Sequence, residues 1–157
     1  HGMFACAGIL YNHESPRRGF EFVTRKITSA VARIHLGRAA TIELGNIDAR
    51  RDWGYAPDYV DAIHRILRHE APDDFVIATS TLHSVRDVLE RAFAVVGRDY
   101  RDHLRFNPEY FRPDEAVPLC GNYAKARRLL GWAPTRKLGD IVDEMVRRDI
   151  ALLDAMG

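Results

Sequence analysis

The side chains with chemical potential in this sequence are cationic and polar ones that follow apolar stretches: Asn12, His13, Arg17, Arg18, Arg25, Lys26, Arg50, Arg51 and Arg112. An arginine presents a planar fork of N–H donors that can hold two phosphate oxygens at once. Two arginines from separate segments therefore suit a diphosphate clamp. The competing arrangement is ordinary ion pairing with Asp48, Asp52, Asp58 or Glu115, which contributes little at a surface. In open α/β sheets ligands bind beyond the carboxyl ends of strands, and Asn12-His13 follows directly on the apolar stretch Met3 to Tyr11.

Other chemistries fail on spacing. None of the eleven glycines is placed to make G-x-G-x-x-G after a strand, and no Walker loop occurs. His64 and His69 stand five apart, on different faces of a helix, and no H-E-x-x-H is present, so no metal is expected. Ser15 lacks a G-x-S-x-G elbow, and Ser84 reads as a helix cap. Cys6 and Cys120 form neither a Cys-x-x-Cys pair nor a zinc pattern, and each reads as a neutral thiol. The net charge of +1 provides no field that would draw nucleic acid or an anionic membrane. No apolar run reaches the roughly 20 residues of a membrane-spanning helix, and the sequence reads as cytosolic.

The elements that must position these residues are those of an α/β protein. Met3–Tyr11 is apolar without alternation, as in a strand covered on both faces. Asn12–Gly19 reads as a polar loop. The spacing of Phe22, Ile27, Val31 and Ile34 predicts a helix to Leu36, ended by Gly37. A short strand is expected at Thr41–Leu44, a helix at Asp58–His69 and a buried strand at Phe75–Ala78. A helix opened by a Ser84/Asp87 capping box should run to Val96, closed by Gly97. Asn122 should cap a short helix ending at Gly131, and an amphipathic helix is expected from Leu138 to Leu153. Only two segments look like fully buried parallel strands, and two cannot form a sheet covered on both sides. Residues 1–157 are therefore expected to be the C-terminal part of a larger α/β unit, or to pair with a chain that completes the sheet, in a homo-oligomer or otherwise.

Asn12-His13-Glu14-Ser15-Pro16-Arg17-Arg18-Gly19, followed by Phe22-Val23-Thr24-Arg25-Lys26-Ile27, resembles the GDP-mannose 4,6-dehydratase family of extended short-chain dehydrogenases. Arg51-Asp52-Trp53, His83-Ser84-Val85-Arg86, Tyr110-Phe111-Arg112-Pro113 with Glu115, and Leu130-Gly131-Trp132 extend the likeness over nearly the whole chain. The first two stretches are specific to that family. Arg51-Asp52-Trp53 and Arg112-Pro113 with Glu115 are shared more widely among sugar-nucleotide enzymes.

The resemblance implies conversion of GDP-mannose to GDP-4-keto-6-deoxymannose with NADP. It implies that His13 and Arg18 contact the cofactor, and that Asn12, Arg51 and Arg112 hold the diphosphate and ribose. Val23 and Lys26 would meet guanine, and Glu115 would lie near the ribose. It further implies the last strands of a Rossmann-type fold with a substrate-binding lobe. The family's Tyr-x-x-x-Lys pair cannot be placed: Tyr123 is followed four residues later by Arg127. Ser80-Thr81-Leu82 also replaces a glycine-containing turn. The expected function is thus the substrate-binding portion of the dehydratase, inactive alone. The alternatives are a non-catalytic nucleotide-sugar module or a GDP-sugar reductase or epimerase of the same superfamily.

Overall fold

The computed structural model describes residues 2–110 and 118–156, and the fold is α/β. In chain order the elements are β1 (Gly8–Leu10), β2 (Asn12–Glu14), α1 (Val23–His35), β3 (Ile42–Leu44), β4 (Arg50–Tyr55) and α2 (Ala56–Leu67). They continue with β5 (Phe75–Ile77), β6 (Leu82–Ser84), α3 (Val85–Val95), β7 (Leu104–Phe106), α4 (Ala124–Leu130) and α5 (Leu138–Asp154). Among the described residues the strands form three small sheets. β1 runs parallel to β5, β3 runs parallel to β7, and β4 lies between β2 (parallel) and β6 (antiparallel).

The helices follow their side-chain patterns. In α1, Ile27, Val31 and Ile34 recur at helical spacing and are buried against α3 and α5. The capping box forms at the start of α3: the Ser84 hydroxyl accepts from the Asp87 amide, and the Asp87 carboxylate accepts from the Ser84 amide. Gly97 (φ 67°) and Gly131 (φ 60°) supply the left-handed residues that follow α3 and α4. Asn122 acts one residue earlier than expected, accepting from the Ala124 amide, while Tyr123 occupies the cap.

Two apolar clusters hold the chain together. The larger joins α1, α3 and α5 to Ile42, Leu44 and Trp53. The smaller gathers Tyr59, Ala62, Ile66, Phe75, Ile77, Ala126 and Trp132 around α2, β5 and α4.

Two expectations about strands are corrected. The apolar run Met3–Tyr11 is ordered as strand only over three residues, and Gly8, Ile9 and Leu10 are exposed because β1 is hydrogen-bonded to β5 alone among the described strands. The stretch after it is not all loop. Asn12–Glu14 continues as β2 on a different ladder, paired with β4 through Asn12 opposite Trp53. Side chains alternate across a strand, so this short segment sends Asn12 and Glu14 to one face and His13 to the other. Among the described residues, no helix is long and apolar enough to cross a membrane.

Candidate functional site

β2, β4, the start of α1 and the turn after β3 surround a cleft of about 530 Å³. Four residues singled out from the sequence line it: Asn12, Val23, Lys26 and Arg51. Each is placed by its element. Asn12 and Arg51 project from β2 and β4, and Trp53, two residues beyond Arg51, lines the same cavity. Val23 is the first residue of α1, and Lys26 lies on its opening turn. Phe22, Asn46, Glu109 and Tyr110 also contribute to the wall. Arg112 and Glu115 lie outside the described residues.

The cleft lining holds the cations Lys26 and Arg51, the acids Glu21 and Glu109, and the aromatic side chains of Phe22, Trp53 and Tyr110. The Lys26 ammonium sits 3.9 Å from the Tyr110 ring centroid, a cation–π geometry that leaves its N–H donors available to other acceptors. Partial burial lowers the Lys26 pKa from the usual lysine value, opposed by the nearby carboxylate of Glu43. Glu43 in turn accepts from the Asn107 amide group at 3.0 Å. Arg51 donates to the Arg50 carbonyl at 2.8 Å.

His13 and Arg18 do not line this cleft. His13 packs on the opposite face of β2, with its ring centroid 4.9 Å from that of Tyr59 and Nδ1 2.8 Å from the Tyr11 carbonyl oxygen. A bond to that carbonyl requires the proton on Nδ1. Arg18 stacks its guanidinium over Phe22 at 3.5 Å, and its Nε lies 3.5 Å from the Glu14 carboxylate without a hydrogen bond of its own.

Arg25 has a structural duty instead. Arg25 is buried, paired with Asp149 of α5 at 2.7 Å, and also donates to the Pro16 carbonyl. Among the acids named as competing partners, Asp48 pairs with Arg86 at 2.7 Å. Asp52 accepts from Thr79, Ser80 and Gly121, while Asp58 accepts from both the amide and hydroxyl of Thr135.

Sequence reasoning missed Glu14 as a structural acid. It is 1% exposed and accepts the Thr24 hydroxyl at 2.5 Å, and burial raises its pKa against the opposing pull of Thr24, Arg18 and His13. Among the described residues, no group of three or more His, Cys, Asp or Glu side chains is placed to hold a metal.

A sequence profile described as GDP-mannose 4,6 dehydratase matches residues 1–145. The chain belongs to the GDP-mannose 4,6-dehydratase family. It is 50% identical over 169 residues to GDP-mannose 4,6 dehydratase 2 of Caenorhabditis elegans, covering 98% of this chain and 44% of that relative. It thus spans less than half the length of that curated relative. Among solved structures, RMD from Pseudomonas aeruginosa complexed with NADPH superposes with a TM-score of 0.88 at 21% identity, over 96% of this chain and 50% of that one. The UDP-glucose 4-epimerase of Thermotoga maritima with UDP-glucose gives 0.77 at 22% identity, over 93% and 46%. At such identities these likenesses show the shared Rossmann-type fold. The dehydratase family is the assignment that the sequence identity carries.

Proposed function

We propose that this chain forms the nucleotide-sugar-binding portion of an NADP-dependent GDP-mannose 4,6-dehydratase. The observation that carries the reading is the convergence of Asn12, Val23, Lys26 and Arg51, from three separate elements, on one cleft. In this reading Asn12 and Arg51, with Arg112, hold the diphosphate and ribose. Val23 and Lys26 meet the guanine, and Glu115 lies near the ribose. Arg51 supplies a charged fork for phosphate oxygens, Val23 an apolar contact for the base, and Lys26 a donor suited to a base carbonyl.

The residues present also fit one edge of a dinucleotide. The Arg18 guanidinium carries no hydrogen bond at its Nε and lies over the Phe22 ring, and His13 spends only Nδ1 on the Tyr11 carbonyl. His13 and Arg18 would hold NADP there, while the sequence has no glycine-rich phosphate loop of its own. The cofactor, when bound, supplies the hydride exchange at the sugar. The present residues bind and orient the nucleotide sugar beside it. Because no Tyr-x-x-x-Lys occurs in the sequence, the chain on its own is expected to bind without turnover.

The fold also suggests a partner. The apolar side chains of β1, Ile9 and Leu10, stand exposed beside Met3 and Phe4 in the sequence, and this strand would pair with a chain or segment that completes the sheet. Isothermal titration with GDP-mannose, GDP, UDP-glucose and dTDP-glucose tests the binding claim. Preference for the two guanine nucleotides supports it, and equal binding of all four counts against it.

A further inference from the structure

The sequence reading gave Asp52 no role beyond a possible ion pair, yet among the described residues its carboxylate accepts four hydrogen bonds close to the cleft. It is 1% exposed. Oδ1 accepts the Thr79 amide at 2.8 Å and the Thr79 hydroxyl at 2.6 Å. Oδ2 accepts the Ser80 amide at 2.9 Å and the Gly121 amide at 3.2 Å. These four donors come from two segments remote in sequence. Ser80 sits at φ 59°, in the left-handed region that side chains rarely adopt, and its amide is turned onto the carboxylate. Gly121 has no room for a side chain, since a Cβ would lie 2.2 Å from that of Ala78.

The strand's alternation gives this cluster a functional consequence. Asp52 points to the face opposite Arg51 and Trp53, which both line the cleft. A one-residue slip of β4 would exchange those faces, so a residue that holds the inner face fixes what the outer face presents. From this we infer that Asp52 is a positioning residue for nucleotide binding: by gathering the Thr79–Ser80 turn and Gly121 onto β4, it fixes the strand so that Arg51 faces the cleft.

The inference rests on the nucleotide reading proposed above, and charge offers a way to separate positioning from electrostatics. Removing a carboxylate beside an anion site would, by charge alone, strengthen diphosphate binding. Loss of that binding instead marks a geometric role.

The test compares the affinities of the chain for GDP and GMP in the wild type, Asp52→Asn, Arg51→Ala and the double variant. The wild type should prefer GDP. Asp52→Asn should lower the GDP-to-GMP ratio fivefold or more, and in the Arg51→Ala background it should change the ratio less than twofold, because Asp52 acts through Arg51. Thr79→Val, which removes one of the four donors, should lower the ratio about twofold and serves if Asp52→Asn does not fold. An unchanged or raised ratio in these variants overturns the positioning role while leaving the nucleotide reading intact, and so does an undiminished effect in the Arg51→Ala background. A wild type with no preference for GDP overturns both.

Discussion

Replacing Asp149 by alanine should be among the most damaging single changes in the molecule that leave the cleft's own side chains untouched. Asp149 on α5 and Arg25 on α1 meet at 2.7 Å with side chains 4% and 5% exposed. The Asp149 carboxylate also accepts the Thr28 hydroxyl at 2.8 Å, and Arg25 reaches on to the Pro16 carbonyl. Truncating Asp149 leaves a guanidinium in the interior with no counter-charge, and removing one partner of a buried pair costs about 3–5 kcal/mol. The Thr28 hydroxyl adds little, because the Arg25 carbonyl remains as an alternative acceptor at 3.3 Å. For a chain of this length the thermal midpoint should fall on the order of 10 °C. Urea unfolding monitored by far-UV dichroism reads the effect, with an unchanged m-value marking it as a change in stability. The double variant Arg25→Met/Asp149→Leu removes both charges together and should recover most of the loss, since well-packed apolar replacements of buried pairs are close to neutral. A cost below about 1 kcal/mol for Asp149→Ala would show that water reaches the guanidinium. A double variant no better than the single one would equally refute the argument.

Three further outcomes follow from the same contacts. Burial raises the Glu14 pKa in the folded chain, so the folded state holds that proton more tightly than the unfolded one; the associated stability is complete below the ordinary carboxylate value of 4.5 and is lost as pH rises through the folded value. Relative to wild type, Glu14→Gln should therefore gain stability as pH increases across that window, and a difference that is flat with pH would contradict the assignment. Ser80→Gly should stabilise the chain by about 0.5–1 kcal/mol, as relief of the left-handed backbone exceeds the added freedom of glycine in the unfolded chain; an unchanged or lower urea midpoint would argue that Ser80 is not strained. Arg51→Ala should weaken GDP binding by about 1.5–3 kcal/mol in titration calorimetry, and an unchanged affinity would remove Arg51 from the clamp.

The sequence revealed the helices more readily than the strands, for reasons visible in particular residues. α1, α3 and α5 carry apolar side chains at helical spacing and end on glycines or caps, so their bounds lie within one or two residues of those expected. β2 and β4 were hidden because Asn12–Glu14 and Arg50–Asp52 are polar, and β6 and β7 because three-residue strands leave almost no periodicity. Apolarity misled in the other direction at Met3–Tyr11: a run of such residues reports what a strand could bury, whereas Ile9 is 52% exposed beside a single neighbour.

The candidate cleft was legible only as a set of residue types. Arg51, Asn12, Val23 and Lys26 do converge, although spacing alone could not separate Arg51, which faces the cleft, from Arg25, which is sealed against Asp149. What the sequence could not disclose were the buried acids of the same strands. Glu14 and Asp52 look like ordinary acids until alternation and the remote donors at Thr24, Thr79 and Gly121 are placed around them.

Titration calorimetry of the wild-type chain against GDP-mannose, with UDP-glucose as the competitor and Arg51→Ala as the altered chain, bears most directly on the account. Tight, guanine-selective binding that falls roughly tenfold to a hundredfold without Arg51 is the predicted result. Equal affinity for both sugar nucleotides, or a cleft indifferent to the loss of Arg51, would contradict it.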